Sequence, residues 1–146
     1  MKRTLLSLFL LLSIAATARA QTTEDSIKTT INNLFAGMKN GDAALLRSAF
    51  ADSAIMQTIA KDRIRTEKIS EFADFVSKQP KGVADEQIQF ETIKIDGPLA
   101  IVWTPYKFYY KGQFSHCGVN SFQLVRLKGE WKIQYIIDTR RKDCTP

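Results

Sequence analysis

The chain has 146 residues, with 21 Lys and Arg against 15 Asp and Glu, and its formal net charge is +6. Half of this excess lies in the first twenty residues, which contain Lys2, Arg3 and Arg19 and no acid. Residues 21–146 keep a balance of only +3 with dispersed Lys and Arg, so they lack the basic surface that nucleic-acid binding requires. We therefore expect no nucleic-acid partner.

Residues 1–20 have the pattern of a secretory signal peptide. Two basic residues precede an apolar run over Leu5–Ala16, and Ala18-Arg19-Ala20 supplies the small residues of a cleavage site. The run is shorter than the roughly 20 apolar residues that span a bilayer. We expect a secreted or periplasmic protein that keeps no stable membrane anchor after cleavage, with one domain over residues 21–146.

The first half of the chain has the apolar spacing of helices, interrupted by one short strand pair. Asn40-Gly41 is a helix stop signal, and Asp42 is the expected N-cap of the helix that follows. The predicted elements are a helix over 25–39, a short helix after 42, a strand over 54–59, a turn with a second strand within 61–65, and a helix over 66–77.

From Gln87 onward the apolar period changes to two, which is typical of strands. Ile88 and Phe90 alternate with polar residues, and the apolar set then shifts phase to Ile93 and Ile95, as a β-bulge produces. Two Lys-Gly loops then join three long predicted strands, over 99–110, 113–127 and 130–139.

The two loops fix a register for this three-stranded meander. Pairing Tyr110 with Gln113, and Leu127 with Glu130, collects the apolar residues of all three strands on one side. The predicted inward face consists of Leu99, Ile101, Trp103, Asn120, Phe122, Leu124, Ile133, Tyr135 and Ile137.

The two cysteines, Cys117 and Cys144, are expected to form a disulfide in an oxidising compartment, with two unpaired thiols as the alternative. A closed loop of about 27 residues contributes roughly 3.5 kcal/mol in the chain-entropy model. His116 precedes Cys117, but neighbours along a strand point to opposite faces, which disfavours a Cys–His catalytic site.

The order of elements resembles the nuclear-transport-factor-2-like (NTF2-like) superfamily, which includes ketosteroid isomerase, scytalone dehydratase and SnoaL-like polyketide cyclases. A narrower set of residues is similar to a group of small exported bacterial proteins described as "putative lumazine-binding". The set is Trp103-Thr104-Pro105-Tyr106, Phe108, Phe114-Ser115-His116-Cys117-Gly118-Val119, Phe122, Leu124, Arg126, Gly129, Trp131 and Cys144. The resemblance implies an α+β cone, with N-terminal helices packed on a curved, mixed or antiparallel sheet.

In such cones the concave side of the sheet forms a pocket, so the predicted inward face is the candidate lining. Tyr106 and Phe108 join this lining if a bulge at Thr104–Pro105 shifts the phase. The aromatic members alternatively form plain core. The predicted pocket residues are Trp103, Tyr106, Phe108, His116, Asn120, Phe122 and Tyr135.

We expect a protein that binds a small apolar or aromatic molecule, with no cofactor and, given a single His, no metal site. One alternative is an enzyme of the isomerase, dehydratase or cyclase type, for which His116 is the candidate catalytic residue. Asn120 is neutral and cannot serve as the base, so the sequence leaves open whether a reaction occurs. A third alternative is a homodimeric interaction module that uses the sheet face bearing Val119, Ser121 and Val125.

Overall fold

The structure is a computed structural model, and it describes residues 23–144. The predicted signal peptide and its cleavage site lie outside these residues. Among the described residues, no helix is both long and apolar enough to cross a bilayer.

Three helices form as the apolar spacing predicts: α1 covers residues 23–40, α2 covers Ala43–Ser48 and α3 covers Ile69–Ser77. The Asp42 carboxylate caps α2 by accepting a hydrogen bond from the Leu45 N–H at 2.9 Å. The N-cap of α3 is Lys68, which makes no side-chain capping bond. This helix begins three residues later than predicted, because residues 63–67 are paired in a strand.

Within residues 23–144, seven strands form one sheet in the order β2-β1-β7-β6-β5-β3, and β4 also pairs with β5. All neighbours are antiparallel except β1 and β7, which are parallel, so the sheet is mixed. The strands are β1 Phe50–Ala60, β2 Arg63–Glu67, β3 Ala84–Ile88, β4 Thr92–Asp96, β5 Leu99–Tyr110, β6 Gln113–Leu127 and β7 Glu130–Thr139.

The predicted phase shift between Phe90 and Ile93 is present as a break between β3 and β4. Ile88 pairs with Tyr106 and Thr92 pairs with Trp103, so this edge contains one residue more than the segment of β5 that it faces. The extra residue has the effect of a bulge, and it lies beside Thr104 and Pro105, where proline cannot donate to the ladder.

The register of β5 against β6 differs from the prediction by one residue. Tyr110 pairs with Gln113 as predicted, but Ser115 is an extra residue on β6, and Phe108 pairs with His116. Trp103 consequently faces Ser121 rather than Asn120. The prediction that Leu99, Ile101 and Trp103 point inward is therefore wrong.

The predicted inward face of β7 is also wrong, because this strand contains a second bulge. Leu124 pairs with Ile133 as predicted, but Gln123 pairs with Tyr135, so Gln134 is the extra residue. Tyr135 and Ile137 consequently lie on the opposite side from their predicted one. The Tyr135 hydroxyl instead donates a hydrogen bond to Gln57 Oε1 at 2.7 Å.

The sheet thus has an inner face, which bears Val102, Asn120 and Ile136, and an outer face, which bears Ile101, Ser121 and Ile137. The helices pack against the inner face, and the core lies between the two layers. Its most deeply buried members are Ile27, Ile31, Leu46, Phe122, Leu124 and Ile133.

The structure contains the predicted disulfide between Cys117 and Cys144, whose Cα atoms are 5.9 Å apart. The backbone of Cys117 also exchanges two hydrogen bonds with Arg141, at 3.0 and 2.9 Å. These links hold the segment after β7 against β6.

Candidate ligand-binding site

A cavity of about 330 Å³ lies between the helices and the inner face of the sheet. Helices α1 and α3 supply most of its apolar wall, and β1, β5 and β7 complete it. The apolar lining consists of Leu34, Phe35, Met38, Met56, Phe72, Phe75, Phe108 and Ile136.

The polar part of the lining comes from strands, except for Arg140, which directly follows β7. It consists of Thr58, Arg65, Glu67, Glu86, His116, Asn120, Asp138 and Arg140. The cavity therefore has an aromatic roof and a partly charged floor, which is the usual arrangement of a site for a small organic molecule.

Asp138 is the centre of a hydrogen-bonded network on this floor. Its Oδ1 accepts from the Thr58 hydroxyl at 2.5 Å, and its Oδ2 accepts from the Tyr106 hydroxyl at 3.1 Å and from Arg140 Nε at 3.0 Å. Arg140 Nη2 also donates to Thr58 Oγ1 at 3.2 Å. Both carboxylate oxygens are therefore engaged, and the charge is paired.

Tyr106 contributes to this network through its hydroxyl group. Its hydroxyl also donates to the carbonyl of Thr139 at 2.9 Å, and the side chain is almost fully buried. Burial, together with the nearby Asp138 carboxylate, raises the pKa of Tyr106 far above its ordinary value. The hydroxyl therefore stays a neutral donor across the physiological pH range.

Glu86 enters the cavity from β3, directly across from Phe108 on β5. Its Oε1 accepts a hydrogen bond from Asn120 Nδ2 at 2.8 Å, and the same Nδ2 lies 3.4 Å from Thr104 Oγ1. Within residues 23–144, no Lys, Arg or His nitrogen lies within 4.0 Å of its carboxylate.

The environment of Glu86 makes its ionisation unfavourable. Burial raises the pKa of Glu86 to about 7, with a further contribution from the negative charge of Asp138 that outweighs the opposing effect of Arg140. The hydrogen bond from Asn120 acts in the opposite direction. The carboxyl group is consequently able to gain or lose a proton close to neutral pH.

His116 flanks Phe108 on the other side, from β6. Its ring lies 4.9 Å from the Phe108 ring and 5.8 Å from the Tyr106 ring, centroid to centroid, and its Nδ1 is 3.1 Å from Ser115 Oγ. Burial and the charge of Arg140 lower the pKa of His116. The imidazole is therefore neutral at neutral pH.

Three of the residues predicted to line the pocket do so: Phe108, His116 and Asn120. Tyr106 lies on the same face but contacts Asp138 beneath the cavity, and Phe122 is buried core that packs edge-on against Phe35 at 6.3 Å. Trp103 and Tyr135 lie on the outer face, because of the bulges at Ser115 and Gln134.

The residues predicted from the sequence to line the pocket did not include Glu86, Asp138 or Arg140. A signal for Glu86 was present, because it shares the strand phase of Ala84 and Ile88, both of which face the core. Asp138 faces the cavity only because the bulge at Gln134 reverses the faces of the residues that follow it. Within the described part of the chain, no group of three His, Cys, Asp or Glu side chains is arranged to hold a metal ion.

The comparisons with known proteins agree with this architecture. The model of a family described as "Putative lumazine-binding" matches residues 22–135. No curated protein matches the chain.

Several solved structures share the fold. An NTF2-like protein of unknown function from Shewanella baltica has 16% identity and a TM-score of 0.67, covering 84% of this chain and 96% of its own. One from Silicibacter pomeroyi has 12% identity and a TM-score of 0.69, with coverages of 84% and 98%. A third, from Novosphingobium aromaticivorans, has 14% identity and a TM-score of 0.68, with 90% of each chain covered. At such identities the likeness shows the fold alone.

Proposed function

Because the chain belongs to the "Putative lumazine-binding" family and has an NTF2-like fold, we propose that it binds a small apolar or aromatic molecule in the cavity over its inner face. The observation that carries this proposal is a cavity with a roof of Phe and Met side chains and a floor of polar groups. Its volume of about 330 Å³ is suited to a molecule the size of a fused two-ring heterocycle, the class to which lumazine belongs.

The alternative to a binding site is a core in which the helix side chains fill the concave side. Phe35, Met38, Phe72 and Phe75 are the side chains able to do so, and all four instead form the cavity wall. Phe75 is 54% exposed, so this wall is open to solvent at one edge. A large apolar side chain held at the mouth of a cavity supports a role in contacting a ligand.

A cavity-filling variant tests the proposal. Ile136→Phe adds volume inside the cavity, whereas Ile137→Phe makes the same change one residue away on the outer face. We expect fluorescence titration with lumazine to show at least tenfold weaker binding for the first variant and unchanged binding for the second. Equal affinities would contradict the proposal, and native mass spectrometry of protein from its own host would identify the natural ligand.

Glu86 supports a second candidate function, proton transfer to or from a bound substrate. A carboxyl group in an enclosed, largely apolar site with a pKa of about 7 is suited to general acid–base chemistry at neutral pH. His116, on the same floor, offers a neutral imidazole as a second participant. The main candidate for the catalytic residue is therefore Glu86 rather than His116, the residue expected from the sequence.

Deuterium exchange distinguishes this second function from binding alone. The protein should accelerate exchange at the carbon beside the carbonyl of 2-tetralone, a two-ring ketone, as followed by NMR. Glu86→Gln should abolish the acceleration, and His116→Gln should reduce it. An unaltered rate in Glu86→Gln would reject Glu86 as the base.

Export and dimerisation are further proposals. The disulfide supports export, because such bonds persist in oxidising compartments. Cell fractionation should place the protein outside the cytoplasm, cleaved before Gln21, and a full-length cytoplasmic product would contradict export.

The outer face supports a homodimer, since large apolar side chains of β1 and β5 are exposed on it. Sedimentation should show concentration-dependent association, and a monomer at all concentrations would reject the dimer. The exposed set is Ile55, Ile59, Leu99, Ile101 and Trp103.

A further inference from the structure

We propose that the cavity selects an organic cation, with a flat aromatic or apolar body and a positive charge placed beside Glu86. This inference rests on the proposed function, because it names the class of molecule that the same cavity takes. It is carried by the arrangement of charges and rings around the cavity, described in turn below.

The charged side chains of the lining do not balance. Asp138 is paired with Arg140 at 3.0 Å, and Arg65 and Glu67, of opposite sign, share the inner face of β2. Within residues 23–144, Arg65 and Glu67 form no ion pair, but their opposite charges cancel in the sum. Glu86 is therefore the acid in excess, and its carboxylate accepts a hydrogen bond from the amide of Asn120. A carboxylate in an apolar enclosure is stable only with a charged or strongly hydrogen-bonding partner, which a cationic ligand supplies.

Four aromatic rings surround the space that such a ligand would occupy. Phe35 comes from α1, Phe72 and Phe75 come from α3, and Phe108 lies across the β3–β5 ladder from Glu86. The faces of aromatic rings attract cations, and this attraction strengthens where water is excluded. A carboxylate next to a group of rings therefore favours a cation with an apolar body over a strongly hydrated inorganic ion.

The same floor disfavours an anion. Two guanidinium groups line the cavity. Arg140 donates from Nε to Asp138 and from Nη2 to Thr58, and Arg65 is exposed to solvent and lies two residues from Glu67 on the same face of β2. An anion bound at Arg140 would compete with the existing ion pair and would also lie close to Glu86. A neutral ligand, paired with a protonated Glu86, is the remaining alternative and is an outcome of the test.

Binding of a cation should release a proton. Because burial holds the pKa of Glu86 at about 7, part of the population is protonated at neutral pH, and a bound cation favours the carboxylate. The other charged or titratable groups facing this space are His116 on β6, Asp138 on β7, Arg140 directly after β7, and Arg65 and Glu67 on β2. Protonation of His116 at acidic pH would also weaken binding of a cation, so the Glu86 variant is needed to separate the effects of the two groups.

Three probes with the same two-ring body test the inference at pH 8: N-methylquinolinium as the cation, quinoline as the neutral molecule and 2-naphthoate as the anion. Calorimetry should show the cation binding at least tenfold more tightly than quinoline, with the anion weakest. Glu86→Gln should remove the preference for the cation and leave quinoline affinity within about threefold. Glu91→Gln, the same change at an exposed position, should alter nothing.

The unmodified protein supplies an independent measurement in case Glu86→Gln fails to fold. Lowering the pH from 8 to 6 should weaken binding of the cation about tenfold, since the ionised fraction of a group with a pKa near 7 falls by that factor. At pH 7, titrations in phosphate and in Tris should give different heats for the cation, because a group with a pKa near 7 releases up to about half a proton per cation bound, and should agree for quinoline.

The outcomes separate the two proposals. If quinoline binds as tightly as the cation, or if Glu86→Gln keeps the preference for the cation, the inference is overturned and the proposed binding function stands. If none of the probes, nor lumazine, binds to the folded protein, the proposed function fails together with the inference.

Discussion

Asp138 and Glu86 face the same cavity from strands β7 and β3, but their surroundings are opposite. Asp138 accepts hydrogen bonds from two hydroxyl groups and a guanidinium, whereas Glu86 accepts one from a neutral amide. Asp138 is therefore a fully hydrogen-bonded part of a network, whereas Glu86, whose pKa burial raises to about 7, is able to gain or lose a proton near neutral pH. The comparison teaches that the partners of an acid, more than its position in a cavity, decide whether it is available to a ligand.

Removing the paired acid should have the largest effect. Asp138→Ala leaves Arg140 without its counter-charge and leaves the Tyr106 hydroxyl without one acceptor, so we expect a loss of about 3 kcal/mol in the free energy of unfolding. Urea denaturation at pH 7 measures this, and Asp138→Asn should recover part of the loss. A loss below about 1 kcal/mol would show that the network is not structural.

Removing the charge of Glu86, the acid without an ion-pair partner, should stabilise the protein rather than destabilise it. Burial raises the pKa of Glu86 from 4.5 to about 7 on folding, so ionisation costs stability, increasingly between these pH values and fully above the higher one. Contact with solvent in the cavity reduces this cost, and we expect Glu86→Gln to stabilise the protein by about 2 kcal/mol at pH 8.

The pH dependence of this stabilisation is its control. At pH 4 both the folded and the unfolded chains carry a protonated Glu86, so Glu86→Gln should have almost no effect there on the urea midpoint. Glu91→Gln, on the exposed surface, should change stability by less than about 0.5 kcal/mol at either pH. Equal effects of Glu86→Gln at pH 4 and pH 8 would contradict a raised pKa.

A smaller effect should follow from removing one donor to Asp138. Tyr106→Phe deletes the hydroxyl that reaches Asp138 Oδ2 and the Thr139 carbonyl, at an expected cost of about 1 kcal/mol. Tyr110→Phe, at an exposed site, is the matched control and should be neutral in thermal unfolding. Equal melting temperatures for both variants would remove Tyr106 from the network.

The smallest expected effect is a change in the pKa of Glu86. Asn120→Ala removes the hydrogen bond that opposes the effect of burial on Glu86, so the pKa of Glu86 should rise further above 7, by less than about one pH unit. NMR titration of the labelled side-chain carboxyl group measures this directly. A fall in the pKa would indicate that water replaces the amide.

Much of the fold was predictable because its signals are local. The helix spacing, the Asp42 cap and the turns at Lys111-Gly112 and Lys128-Gly129 all follow from neighbouring residues, and positive φ angles occur at all four turn positions. The family resemblance rested on the same C-terminal strands.

The site was less predictable because it depends on long-range pairing. Ser115 and Gln134 each insert one residue into a ladder, and neither residue type marks a bulge. Each insertion reverses the faces of the residues beyond it, which removed Trp103 and Tyr135 from the pocket and placed Asp138 there. The parallel pairing of β1 with β7 brings Thr58 to Asp138. These two strands are not joined by a hairpin, so no local turn signal indicates that they pair.

The N-terminus of α3 has a consequence for how quickly a ligand enters and leaves. This nine-residue helix provides Phe72 and Phe75 to the cavity wall, yet its N-cap residue, Lys68, makes no side-chain capping bond, whereas α2 is capped by Asp42. Short, weakly capped helices unfold locally at low free-energy cost, and their amides exchange with solvent early. The opening rate of α3 would then limit ligand entry, so that two ligands of very different affinity would share one limiting association rate and differ in their residence times.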